Sequence, residues 1–215
     1  MSKTEFVEAA ANNDLHRIKQ MLESNGDLLN AKDREYDTAI MKACRNCNAT
    51  DLVSFLLEKG ANINDKEYRD LIDQTPLIIA AFNGCADIVQ MLLDAGVTDI
   101  NHKNDQGESA ILAATQEGHK EVVQILLDAG ADINQPNSDG ETALAIVTRN
   151  RHKKDYIDFL IANGATANVE ASGLKKKKGK KDTSKAKQRK KTQAKQRKKT
   201  QAKQRKKTRR RIIKK

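Results

Sequence analysis

Apolar positions fall into clusters that return at a near-constant interval: LVSFLL from Leu52, IVQMLL from Ile88, VVQILL from Val122 and YIDFLI from Tyr156. Within the third, Val122, Ile125 and Leu126 keep the i, i+3, i+4 spacing that predicts a helix with one buried face. A shorter apolar stretch precedes each cluster, and Ile111, Leu112 and Ala114 share one face of the helix it predicts. Ser109 and Thr142 stand where such helices are capped, and Pro76 suits a first helical position. Gly130 follows the second helix, where a left-handed residue ends it. Each unit therefore predicts helix, turn, helix, loop. The stretch TEFVEAAANNDLHRIKQMLE has both helices and no leading turn.

The markers between the clusters repeat too. Gly60-Ala61, Gly96-Val97, Gly130-Ala131 and Gly164-Ala165 recur at spacings of 36, 34 and 34, and Thr38-Ala39, Thr75-Pro76, Ser109-Ala110 and Thr142-Ala143 at 37, 34 and 33. One helix pair cannot hide its apolar face alone, whereas about three or more stacked pairs share a continuous core. The units run about 1–29, 30–64, 65–101, 102–134 and 135–168, inside a repeat domain over 1–171. The clearest unit, Asp105 to Asn134, resembles the ankyrin repeat, and the resemblance covers about Thr4 to Asn168. It implies an all-α solenoid of about five helix pairs with hairpin-like loops. The family's Thr-Pro-Leu-His reads Thr38-Ala39-Ile40-Met41, Thr75-Pro76-Leu77-Ile78, Ser109-Ala110-Ile111-Leu112 and Thr142-Ala143-Leu144-Ala145 here. No unit keeps the His, so apolar packing is expected to substitute for its hydrogen bonds. The turn glycine survives as Gly107 and Gly140 but is Tyr36 and Asp73 elsewhere. The longer loop from Gly60 to Thr75 predicts an irregular finger before the third unit.

Charge divides the chain in two. From Ser172 to Lys215 there are 18 Lys and 6 Arg against one acid, Asp182, a charge of +23, while the whole chain carries +11, leaving −12 on the repeats. The basic segment has no apolar pair before Ile212-Ile213, so it cannot offset its chain entropy and is expected to be disordered. After Lys175, Lys176, Lys177 and Lys178 it carries three octads, AKQRKKTQ from Ala186, AKQRKKTQ from Ala194 and AKQRKKTR from Ala202. At 100° per residue an octad overshoots two turns by about 80°, so its charges would wind around a helix and leave no apolar stripe for a membrane. The candidate polyanion contacts are those four lysines, then Arg189, Lys190, Lys191, Arg197, Lys198, Lys199, Arg205, Lys206, Lys207, Arg209, Arg210 and Arg211. They suit RNA or DNA phosphates, or an import signal. A tail lying on the acidic repeats, or merely solvated, is the alternative.

Chemistry is sparse. Cys44 and Cys47 form a lone CxxC without the four ligands of a zinc site, and Cys85 one repeat on brings no fourth. Cys44 replaces a small packing residue and Cys47 falls in a turn, so packing or a surface thiol is expected of them. Three cysteines make no disulfide scaffold and suit a reducing compartment. His16, His102, His119 and His152 are scattered over different units, and no nucleophile–base constellation or phosphate-cradling loop appears. No enzyme activity, metal or cofactor is expected. No apolar run approaches a membrane span, and the N-terminus lacks the layout of a signal peptide. Absent Trp and 3% aromatics argue against a base-stacking surface.

The ankyrin resemblance implies a partner on the concave side, made by finger tips and exposed positions of each first helix. Those positions include Arg45, Phe82, Gln116 and Arg149, and the tips include Asp37, Leu71 and Ile72. Only the third unit places apolar residues there, Leu71, Ile72 and Phe82 with Ile79, as a binding hot spot requires. Leu71 and Ile72 folded inward over Tyr36 are the alternative. The chain is thus expected to be an intracellular, cytoplasmic, monomeric interaction scaffold, nuclear or nucleolar in a eukaryotic cell. The second reading is a nucleic-acid-associated protein whose tail binds phosphates while the repeats recruit.

Overall fold

The structure, a computed structural model, describes residues 2–65, 67–69, 72–150 and 154–166, with 67–69 and 72 described by their backbone. The fold is that of the first of two units, Met1–Ser172; the second, Gly173–Lys215, lies outside the described residues, and with it every tail residue named above.

The described residues form five helix pairs: α1 (Lys3–Ala11) and α2 (Leu15–Ser24), α3 (Ala39–Ala43) and α4 (Thr50–Glu58), α5 (Pro76–Phe82) and α6 (Ala86–Asp94), α7 (Ala110–Glu117) and α8 (Lys120–Ala129), α9 (Ala143–Arg149) and α10 (Lys154–Ala162). The first helices stack α1 on α3, α3 on α5, α5 on α7 and α7 on α9, while α4 packs on α6 and α6 on α8. Two layers enclose one continuous core.

Local chemistry sets the boundaries. Ser2 and Glu5 cap α1 reciprocally: the Glu5 N–H donates to Ser2 Oγ at 3.1 Å and the Ser2 N–H to Glu5 Oε2 at 2.9 Å. Asp14 Oδ1 accepts from the Arg17 N–H at 2.9 Å, and Thr75 Oγ1 from the Ile78 N–H at 3.3 Å beside Pro76. Ser109 and Thr142 do not cap as expected. Thr142 Oγ1 instead donates to the Thr166 carbonyl at 3.0 Å, and Ser109 Oγ is buried without a partner. Gly130 ends α8 at φ 103°, a left-handed conformation that a side chain would resist.

Burial follows the stacking. Helix α7 is buried from Ala110 to Thr115, because α5 and α9 flank it and α8 backs it; its small residues allow that approach. On α8 the buried face is Val122, Val123, Leu126 and Leu127, with Ile125 half-buried at its edge. The stripe is therefore rotated from the one that Val122, Ile125 and Leu126 suggested. Where the family has His, Met41, Ile78 and Leu112 are buried, so apolar packing does fill those three sites. The Met41 thioether also accepts the Thr38 N–H at 3.4 Å. Ser109 Oγ nonetheless remains buried without a partner, at a desolvation cost of about 1–3 kcal/mol.

Three fingers share one turn. Asp33, Asn104 and Asn137 each accept two backbone N–H bonds through Oδ1, from Glu35 and Asp37, Gln106 and Glu108, and Asp139 and Glu141, at 2.8–3.0 Å. The fourth residue of each turn is left-handed: Gly107 at φ 72°, Gly140 at φ 77° and, without the glycine, Tyr36 at φ 64°. The finger before the third unit departs from the irregular expectation. It is an antiparallel ladder of β1 (Glu67–Arg69) and β2 (Ile72–Gln74), registered Glu67↔Gln74, Tyr68↔Asp73 and Arg69↔Ile72. Its extra length lets the backbone pair with itself, and Asp73 sits in a strand rather than in a turn.

Candidate partner-binding surface

Arg45, Phe82, Gln116 and Arg149 end or closely follow the first helices of successive units, each eight residues beyond a finger residue: Asp37, Gln74, Glu108 and Glu141. At the second and fifth units this spacing becomes an ion pair. Arg45 donates through both terminal guanidinium nitrogens to Asp37, at 3.1 and 3.2 Å, and Arg149 donates to Glu141 Oε1 at 2.7 Å. At the third unit the helix presents Phe82, 43% exposed, and at the fourth an exposed Gln116. Burial pushes the Glu108 carboxyl above its usual range, a hydrogen bond from Asn104 opposes this, and the Glu117 charge adds to it. The row thus reads cation, aromatic ring, amide, cation.

Asp37, expected at an exposed tip, is 0% exposed. Lys42 Nζ lies 2.6 Å from its carboxylate, 2.9 Å from Glu35 and 3.5 Å from Asp33. The three carboxylates converge as metal ligands could, and the Lys42 ammonium occupies the cationic role among them. Arg45 is committed to this network, so its guanidinium is held in one orientation.

The other expected contacts divide as follows. Ile79 is 2% exposed and belongs to the core, not to the exposed face, because α3 and α7 cover α5 on both sides. Ile72 lies in β2, and Leu71 lies outside the described residues. Gln116 and Arg149 are exposed as expected. Tyr36, 58% exposed, is a large apolar surface group that the periodicity did not mark, because it occupies a glycine position in the turn.

Two rows of ties hold neighbouring units together. Along the loops, Asn30 Oδ1 accepts from the Asn62 N–H, Asn64 from Thr98, Asn101 from Asp132 and Asn134 from Thr166, at 2.7–3.0 Å. The recurrence of Asn in these loops was a visible signal for this ladder. At or near the turns between paired helices the ties are chemically unlike. The Asn13 amide donates to the Asn48 carbonyl at 3.4 Å, His119 Nε2 bonds the Phe82 carbonyl at 3.0 Å, and the Tyr156 hydroxyl donates to the Thr115 carbonyl at 3.2 Å. Between the second and third units the tie is covalent, a disulfide from Cys47 to Cys85. This corrects the expectation of a packing or surface thiol for Cys47. The α3–α4 turn runs over six residues, 44–49, against three in the turns of the first and third units, and Cys47 within it meets the N-cap residue of α6. Cys44 is the free thiol, fully buried as expected of a packing residue, and burial pushes it up to about 12.

A family model described as ankyrin repeats (3 copies) matches residues 6–104 and 96–171. Over 112 residues the chain is 29% identical to the "Probable 26S proteasome regulatory subunit p28" of Saccharomyces cerevisiae, which covers 52% of this chain and 49% of that protein. It is 30% identical over 111 residues to the "ANK repeat-containing protein nipk-1" of Caenorhabditis elegans, 48% of this chain and 18% of that one. It is 35% identical over 79 residues to "Alpha-latrotoxin-Lhe1a" of Latrodectus hesperus, 37% of this chain and 5% of the toxin. The chain spans no more than about half the length of these relatives.

Proposed function

The chain belongs to the ankyrin-repeat family, and from that premise we propose that it is a non-catalytic scaffold that grips a protein partner along the row Arg45, Phe82, Gln116 and Arg149. The observation that carries the reading is Phe82, a half-exposed aromatic ring at the position where neighbouring units present polar groups. An aromatic anchor between oriented arginines has the composition of an interface hot spot. Leu71 and Ile72 are the further apolar candidates the sequence offers in the preceding finger. The yeast relative is named as a regulatory subunit of an assembly, which supports a binding role rather than a catalytic one. The setting we propose is intracellular, with the basic tail serving polyanion contact or targeting.

Parallel capture of partners with the full chain, a chain ending at Ala171 and Phe82→Ala tests this reading. Capture that survives loss of the tail and falls by about tenfold or more for Phe82→Ala, the scale of a hot-spot truncation, supports it. Capture unchanged by Phe82→Ala refutes it.

The tail's charge favours a second role, contact with nucleic-acid phosphates. Deleting Ala194 to Gln201 removes Lys195, Arg197, Lys198 and Lys199. If all four touch phosphates, the slope of log K against log salt for RNA or DNA flattens by roughly 3 units. An unchanged slope, or strong discrimination between sequences at fixed salt, refutes phosphate counting by the tail.

A further inference from the structure

We propose that Cys47 and Cys85 form a reversible thiol–disulfide latch across the junction between the second and third repeats. Four observations carry it.

First, the bond crosses a repeat boundary: Cys47 lies in the turn between α3 and α4, and Cys85 is the N-cap residue of α6. Second, the equivalent position of the next unit is His119, which reaches back to the Phe82 carbonyl of its predecessor without any covalent bond. The array therefore stacks at this site by non-covalent contact alone, and the disulfide adds to an interface that stands without it.

Third, access to the two sulfurs is unequal. Cys47 is exposed and Cys85 is buried. An incoming reagent meets Cys47 first, and Cys85 is placed to resolve the product. Fourth, the remaining thiol is removed from competition: Cys44, three residues from Cys47, is fully buried and held protonated. A thiol that does not ionise does not exchange.

Closure balances with a small-molecule disulfide, here oxidised glutathione. The Cys47 thiolate attacks one glutathione sulfur, forming a mixed disulfide and releasing one glutathione thiolate. Cys85, on losing its proton, attacks the Cys47 sulfur and releases the second. Two S–H bonds and the glutathione S–S bond are exchanged for one protein S–S bond and two glutathione thiols. The protein is oxidised by two electrons and the glutathione reduced by two. Opening is the reverse, driven by excess reduced glutathione. This is chemistry a reducing compartment permits as a transient, responsive bond rather than a permanent one.

The test equilibrates the full chain in reduced and oxidised glutathione at varied ratio, then counts thiols by maleimide labelling in denaturant. We expect three reactive thiols in the reduced chain and one in the oxidised chain, with a peptide map joining Cys47 to Cys85. Dithiothreitol restores all three under native conditions without loss of far-ultraviolet circular dichroism. Cys44→Ala closes the same bond, going from two thiols to none, while Cys47→Ser keeps two thiols throughout; its exposed site secures the fold. Closure slows amide exchange in the turns around Asn46 and Gly84 and leaves the turn around Gly118 unchanged. Three thiols at every ratio, a bond involving Cys44, a bond joining two chains, release only on unfolding, or exchange rates blind to the bond would each overturn the latch.

Discussion

Asp37 and Glu141 hold arginines at the same eight-residue spacing, but water reaches the two pairs very differently. The Asp37 carboxylate is wholly buried against Lys42 and Arg45, whereas the Arg149 side chain that meets Glu141 is 60% exposed. Removing a buried partner strands its counter-charges, while an exposed pair contributes little. We expect Asp37→Ala to lower unfolding stability by about 3 kcal/mol and Glu141→Ala by less than about 1 kcal/mol, as read by urea titration. Equal losses would show that Asp37 is wetter than the structure places it. At this scale the sequence was only partly legible. Cys44 was readable as packing because it aligns with small residues. Asp37 was not, since the groups that bury it sit on the following helix and carry no local signature. The bonding of Cys47 depended likewise on the long α3–α4 turn, which carries its sulfur across a repeat boundary.

Helix α8 separates what periodicity can resolve from what it cannot. Apolar spacing and Gly130 located the element, because both signals lie within it. Which residues face inward was offset by one position, since flanking helices decide it. Val123 is buried and Ile125 half-buried, so Val123→Asp should abolish the cooperative thermal transition, burying a carboxylate at a cost of several kcal/mol. Ile125→Asp should retain the transition with a loss of about 1–2 kcal/mol. A larger loss for Ile125→Asp would reverse this assignment of the buried face. The β1–β2 ladder was illegible for a different reason. Three-residue strands are held by backbone bonds, which leave no side-chain pattern to read.

For the whole molecule, the repeats were readable because each unit restates the same markers, and stacking is a nearest-neighbour affair. The last tie among the described residues joins Asn134 to Thr166, five residues before Ala171. A chain ending at Ala171 should therefore match the full chain in helical signal and melting temperature. A loss of several kcal/mol on truncation would mean that the residues beyond Ala171 support the array.

The Cys47–Cys85 bond also changes how the array would respond to a pulling force. Drawn from its two ends, a stack of weakly coupled units yields one after another, each releasing its length of chain. The bond spans 38 positions, including the whole β1–β2 finger and α4. Those residues form a closed loop that tension cannot straighten. At about 3.4 Å per extended residue, the closed form stops short of the open form by about 130 Å, so the latch sets the molecule's reach as well as the fit of one interface.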